Sequence, residues 1–442
     1  MNVFDLDKSL LKDYERFARS FTRIRADDIK TQVDQLYSSN RFWPDPLITI
    51  NPHYESGSNV SNLVSQGLLH ADTAKIFQIN NTPITLHRHQ TQAVSKAHAK
   101  KSFVVTTGTG SGKSLCFFVP IVDAAVRAKA AGEEQKTRAI IVYPMNALAN
   151  SQLKEIEKFV EQSGLPDHLK PSFERYTGQE TQEERERIMR SKPDILLTNF
   201  MMLELLMTRQ SELDNAVIQN AQDLDFIVLD ELHTYRGRQG ADVAMLVRRL
   251  KDRLCQNKTP ICIGTSATMA SEGDTAGTVA EVASKLFGTV IGTDSVIDES
   301  LQRATNHELT VDAIKNTLAD AVNGTIPEKI SDAELKNHPL AIWVELEIGL
   351  LDEQKLKRRQ PITLDDAAKK LADLTNCPQE KCREQLETML IVMSLPESAR
   401  GGHSDRAFMA FKLHQFISGA GHVYATIKEK GQRKITLDGQ KF

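Results

Sequence analysis

The chain has 442 residues, long enough for two or three domains, and its 40% hydrophobic and 26% charged content is that of a globular protein with a core of its own. Its 55 Lys and Arg against 58 Asp and Glu leave a formal net charge of -3, which excludes a uniformly basic, nucleic-acid-coating surface and leaves room for a local positive groove. No apolar run approaches the ~18 residues of a membrane span, and the opening MNVFDLDKSL carries acidic charge, so the chain reads as cytoplasmic.

Up to about residue 85, polar helical stretches such as LLKDYERFARSF alternate with FWPDPLITINPHYESGSNVS, rich in Pro, Asn, Gly and Ser. This predicts a helical and loop-containing accessory region over 1–85. From about 86 to 290 short apolar, β-branched runs are each followed by turn residues and a helical pattern, which predicts an α/β domain with a parallel sheet. Five runs stand out: SFVVTT (102–107), AIIVYP (139–144), DILLTN (194–199), DFIVLD (225–230) and ICIGTSAT (261–268). They are nearly continuous in apolar character, as strands covered on both faces should be.

After about 290 the sheet texture stops. Residues 291–338 read as a polar, helical linker. From 339 to 442 the helical patterns LAIWVELEIGLL, TLDDAAKKLADLT and EKCREQLETMLIVMSL precede the strand-like AFMAFKLHQFI, HVYATI and RKITL. Helices followed by a ribbon predict a winged-helix-like module. The five cysteines, Cys116, Cys255, Cys262, Cys377 and Cys382, form no C-x-x-C pair and read as free thiols.

Each of the five strand ends carries a polar motif, and ligands of open α/β sheets bind at the carboxyl ends of the strands. The first, TTGTGSGKS, has Thr107 where the strict phosphate loop has glycine. Gly108, Gly110 and Gly112 let the backbone approach phosphates, with Thr109 and Ser111 between them. Lys113 is placed to reach the β- and γ-phosphates and the Ser114 hydroxyl to hold Mg2+. At the fourth strand end, Asp230 can hold the metal while Glu231 positions the attacking water and takes its proton. A Gly-rich turn and a surface Asp-Glu pair are the bland alternatives. Their co-occurrence downstream of apolar strands favours an ATPase. At the third strand end, Thr198 and Asn199 either face a nucleic-acid backbone or cap the helix FMMLELLM, and both can hold together.

The order Gln90 in LHRHQTQA, TGTGSGKS, YPMNALANSQ, Thr177-Gly178, Thr198-Asn199, DELH and SAT resembles the superfamily 2 DExH-box helicases. In that superfamily the first loop position is commonly a small residue, so Thr107 is an allowed departure. The resemblance implies a RecA-like P-loop fold using ATP and Mg2+. In it Gln90 would read the adenine, Lys113, Asp230, Glu231 and His233 would form the catalytic set, and Ser114 and Asp230 would hold the metal. His233 with Ser266, Ala267 and Thr268 would couple hydrolysis to movement, and Pro144, Asn146, Thr177, Gly178, Thr198 and Asn199 would track one strand of DNA. GKSLCFFVPI is similar to the RecQ branch and DELHTYRGRQGADVAMLVRRL to RecQ-like and Lhr-like relatives, which include bacterial mitomycin-repair helicases and the helicases of Druantia and DISARM phage defence.

A helicase motor closes its cleft with a second RecA-like domain that supplies an arginine finger. No Q-x-x-G-R-x-G-R-like stretch follows Thr268. The expectation is therefore an ATP-binding half, a fragment or one subunit of a split motor, that hydrolyses ATP poorly until a second RecA-like domain or subunit joins it, with other defence or repair proteins as further partners. Two alternatives stand beside it: a non-motor ATP-binding scaffold, and an RNA rather than DNA track.

Overall fold

The computed structural model describes residues 2–21, 23–38, 43–108, 110–267, 275–351, 356–417 and 422–437. The chain forms two compact units, Tyr54–Ser300 and Met1–His53 with Leu301–Phe442.

The first unit is built on seven parallel strands: β1 (Phe103–Thr106), β2 (Ala139–Tyr143), β3 (Phe173–Tyr176), β4 (Ile195–Asn199), β5 (Phe226–Leu229), β6 (Ile261–Ser266) and β7 (Val296–Asp298). Across the sheet they lie in the order β7-β1-β6-β5-β2-β4-β3. Every residue of β1, β2 and β5 is buried. Successive side chains leave a strand on opposite faces, so Phe103 and Val105 enter one apolar cluster and Val104 the other. Helices α1 (Arg88–His98), α2 (Lys113–Ala130) and α3 (Asn146–Glu161) bury their apolar residues in the first cluster. The second receives α4 (Gln182–Ser191), α5 (Phe200–Thr208), α6 (Glu212–Gln219), α7 (Gly237–Leu254) and α8 (Thr275–Phe287).

Five of the seven strands coincide with the apolar runs of the sequence. The two extra ones are the edges, where a strand has one neighbour and can stay half polar: FERY in β3 is only partly buried. The sheet does not stop at 290, because β7 pairs in parallel with β1 from Val296 to Asp298. Its three residues are too short for a sequence pattern to register.

The division expected at 85/86 is displaced. Val60, Leu63, Leu69, Ile76 and Phe77 share the apolar cluster of Phe103 and Val105, so the sheet-bearing unit begins at Tyr54.

In the second unit, Leu47–Ile50 is the central strand of a three-stranded antiparallel sheet, between Ile362–Thr363 and Phe411–His414. The helices Leu364–Thr375 and Gln379–Ser394 precede Phe411–His414, the predicted order of helices then strands. The central partner nevertheless comes from the N-terminal region, and Tyr424–Ala425 pairs with Ile435–Thr436 instead. The segment read as a linker contains the helix Val311–Asn323, whose Ile314, Leu318 and Val322 are buried as core residues of this unit. All five cysteines are free. Among the described residues no helix is long and apolar enough to cross a membrane.

Candidate nucleotide and nucleic-acid site

The loop between β1 and α2 is set by backbone geometry that glycine supplies. Gly112 is the N-cap of α2 with φ 70° and ψ 35°, and a Cβ there would meet Gln90 Nε2 at 2.6 Å. Thr107, by contrast, is not among the residues with positive φ, so its position does not demand glycine. Its buried hydroxyl lies 2.6 Å from Ser111 Oγ and ties the two ends of the loop together. Lys113 Nζ donates to the Thr107 carbonyl at 3.2 Å. Thr109 lies outside the described residues.

Gln90 and His89, on α1, support the loop from below. The Gln90 side chain accepts from His87 N–H at 2.8 Å and donates to the Gly112 carbonyl at 2.9 Å, so both ends of its amide are engaged within the chain. His89 Nε2 is 3.0 Å from the Ser111 carbonyl, which makes Nε2 the protonated nitrogen, and its Nδ1 is buried without a partner. Burial pushes its pKa down to about 4. At the loop's other end Gly108 N–H donates to Glu299 Oε2 at 3.1 Å, just beyond β7. Neither His89 nor Glu299 was singled out by the sequence. His89 adjoins Gln90, but a residue brought in by an unrecognised edge strand carries no local signal.

Across the sheet, β5 ends in the two carboxylates. Asp230 N–H donates to the Val142 carbonyl of β2 at 2.9 Å, and Glu231 turns the chain with φ 52° and ψ 57°, a left-handed conformation unusual outside glycine. Glu231 Oε1 is 3.6 Å from Lys113 Nζ, which joins the loop to the acidic turn. Burial raises the Asp230 pKa to about 6; a hydrogen bond from Thr265 opposes the rise and the neighbouring Glu231 charge adds to it. The buried hydroxyls of Tyr143 and Tyr235 make no hydrogen bond, and Glu231 Oε2 lies 3.3 Å from His233 Nδ1. Both tyrosines are raised in pKa by burial and by the charge of Asp230.

His233 reaches back to β6. Its Nδ1 lies 3.3 Å from Ser266 Oγ and accepts from Ala267 N–H at 3.4 Å. That places His233, Ser266 and Ala267 in one contact, while Thr268 lies outside the described residues. A groove of about 530 Å3 extends from His233 and Ser266 between α7 and α8, lined by Leu232, Tyr235, Ala244, Val279 and Leu286. A second cavity, about 410 Å3, opens beside Gly112 and Ser114 against Leu115, Phe118 and Phe159.

The polar motifs of β2, β3 and β4 meet at the same edge. Asn199 caps α5 by accepting from Met202 N–H at 2.7 Å. Its amide donates to Asn146 Oδ1 at 2.6 Å and to the Thr177 carbonyl at 3.0 Å, so three of the six expected track residues are bonded together. Pro144 is half-buried two residues before Asn146, and Gly178 is exposed beside Thr177. Thr198 is different: it is fully buried and its hydroxyl donates to the Tyr176 carbonyl at 2.7 Å, which commits it to the fold rather than to a ligand. The N–H groups of Thr177 and Gly178 both donate to Glu180 at 2.8 Å, and the Thr177 hydroxyl donates to it at 2.9 Å. Burial works to raise the Glu180 pKa, but these hydrogen bonds outweigh it and hold the carboxyl below its usual range. The chain's own carboxylate thus fills the backbone cradle expected for a phosphate.

The donor set fits a hard cation: a hydroxyl at Ser114 and a deep carboxylate at Asp230, with the Glu231 carboxylate next in the chain. Among the described residues no cluster of three or more His, Cys, Asp or Glu forms a cage, so any Mg2+ would be held by these two groups together with phosphate oxygens.

Residues 87–275 match the family model of the DEAD/DEAH box helicases. The uncharacterized ATP-dependent helicase YprA of Bacillus subtilis strain 168 is 34% identical over 188 residues, 42% of this chain and 23% of the relative. The Druantia protein DruE of Escherichia coli strain UMEA 4076-1 is 26% identical over 385 residues, 62% of this chain and 21% of its own. The Lhr helicase/uracil glycosylase of Escherichia coli K12 is 24% identical over 355 residues, 74% and 21% respectively. The chain spans less than a quarter of the length of each of these relatives.

Proposed function

From the DEAD/DEAH box helicase domain at residues 87–275, we infer that this chain is the ATP-binding half of an ATP-dependent DNA helicase or translocase. Lys113 and the loop N–H groups hold the triphosphate, and Ser114 and Asp230 hold Mg2+, which when bound neutralises charge on the β- and γ-phosphates. Glu231 orients the attacking water and accepts its proton. The observation that carries this reading is the Glu231 carboxylate itself: one oxygen lies 3.6 Å from Lys113 Nζ and the other 3.3 Å from His233 Nδ1, which sets the carboxylate between the phosphate loop and the coupling strand. The apolar cavity beside Gly112 and Ser114 offers a surface for the base. For adenine reading, the Gln90 amide oxygen keeps a second lone pair beside its bond from His87 N–H.

His233, Ser266 and Ala267 link the acidic turn to the strand that carries the coupling motif. Asn146 and Asn199 present the polar edge over which one DNA strand passes, and Thr177 and Gly178 join it when Glu180 yields their N–H groups. The cleft requires a second RecA-like domain or subunit for full activity; the described residues contain one large parallel sheet. A role in phage defence or DNA repair is in keeping with the similarity to DruE, a Druantia protein, and to Lhr, a helicase/uracil glycosylase.

The test is Glu231→Gln in the complete assembly. ATP hydrolysis should fall by at least about 100-fold, in the range lost when a general base is removed, while ATP affinity stays within a few-fold. Hydrolysis at the wild-type rate would refute the assignment and favour an ATP-binding scaffold. Robust DNA-stimulated turnover by the 442-residue chain alone would refute the requirement for a second domain.

A further inference from the structure

We propose that Thr265, a residue outside the nucleotide and coupling motifs, is a positioning residue that holds Asp230 and the Glu231 turn in their working geometry. Thr265 lies on β6, the strand between the phosphate-loop strand β1 and the acidic strand β5. It is paired with Val105 of β1, one residue beyond the register at which Gly264 faces Leu229 of β5. Its side chain is completely buried.

The hydroxyl has one hydrogen and two acceptor positions, and both kinds of capacity are used. It donates to Asp230 Oδ1, and it accepts from Glu231 N–H at 3.1 Å. One oxygen atom therefore fixes the side chain of the first carboxylate and the backbone of the second. The second contact matters because Glu231 stands at φ 52°, where a residue with a Cβ is disfavoured and persists only when its surroundings hold it. Thr234 holds the same residue from the other side, through N–H and hydroxyl donations to the Glu231 carbonyl at 2.9 and 2.8 Å. Ser266, the last residue of β6, and Ala267 just after it grip His233. Three consecutive residues thus bind three positions of the acidic turn, so a displacement of this strand end moves Asp230, Glu231 and His233 together.

This rests on the reading of Asp230 as a Mg2+ ligand for bound ATP, and the experiment separates the two. The affinity of the full chain for a fluorescent ATP analogue is measured with Mg2+ and with EDTA, for wild type, Asp230→Asn, Thr265→Val and Thr265→Ser. Valine keeps the branched shape and loses the hydroxyl; serine keeps the hydroxyl. Thr265→Val should keep the metal-free affinity and lose the Mg2+ enhancement by about 10-fold or more, the usual effect of removing a group that orients a metal ligand. Thr265→Ser should recover it to within about threefold of wild type. Wild-type enhancement in Thr265→Val alongside its loss in Asp230→Asn overturns the positioning role. Equal loss in the valine and serine variants, with metal-free affinity also reduced, overturns it in favour of general packing. A wild-type chain whose affinity ignores Mg2+, or an Asp230→Asn variant that retains the enhancement, overturns the metal reading and the positioning role with it.

Discussion

His89 converts burial beneath the phosphate loop into a dependence on pH. Its pKa of about 4 lies below that of an exposed imidazole because burial disfavours the charged ring, and the nearby His87 adds to the effect. The groups facing it are Tyr54 and His87, with Arg88 paired to Glu55 on the outer side. Between pH 6.5 and 4 the unfolded chain binds a proton that the folded chain does not, so stability rises with pH through that window. From pH 7 down to pH 5 this one residue should cost about 2 kcal/mol. Urea unfolding at the two pH values should show that difference in wild type and a difference smaller by about the same amount in His89→Gln; an unchanged difference would show that the ring is not the source. Residue positions were legible where the motif is local. Lys113, Asp230 and Glu231 each follow a strand with a motif around it, and Lys113 Nζ lies 3.6 Å from Glu231 Oε1. Thr265, Glu180 and Glu299 act on partners distant in the chain or through backbone N–H groups, and no spacing announces them.

Asn199 shows how one side chain serves two elements. As the N-cap of α5 it satisfies Met202 N–H, and as a donor it holds Asn146 at the start of α3 and the Thr177 carbonyl after β3. Asn199→Ala removes the cap and leaves those two acceptors unpaired, for an expected loss of about 1–2 kcal/mol. Denaturant melting checks the magnitude. Asn199→Asp preserves the cap and removes the donor, so it should recover part of the stability while weakening single-stranded DNA binding; recovery of both would deny the cluster a role at the track. The sequence predicted the capping role because Asn precedes an apolar helix, and the structure adds the two lateral bonds. Strand interiors were equally readable, since β1, β2 and β5 are buried on both faces and are apolar up to their last residues. Edge strands were not, because β3 and β7 need to bury only part of their surface.

At the scale of the molecule, Tyr54–Ser300 has both apolar clusters and the whole large sheet within it. A fragment of those bounds should therefore fold alone with a single cooperative transition. Failure to fold, or a broad non-cooperative melt, would show that the rest of the chain is required. The position of this boundary was not legible in the sequence. The polar texture of residues 51–85 looks accessory, and it is the burial of Val60, Leu63, Leu69, Ile76 and Phe77 that ties it to the sheet. The pairing of Leu47–Ile50 with Phe411–His414 was equally hidden, because strands separated by most of the chain leave no periodic trace of each other.

The placement of β6 between β1 and β5 also acts as a ruler. Neighbouring strands stand about 4.8 Å apart, so the phosphate loop and the acidic turn are separated by two such steps, roughly 10 Å. Backbone hydrogen bonds fix that span, and side-chain exchange in the loops cannot alter it. The surrounding loops can diversify freely, whereas an added or lost strand at this place would change the distance by a whole step and part the two halves of the site.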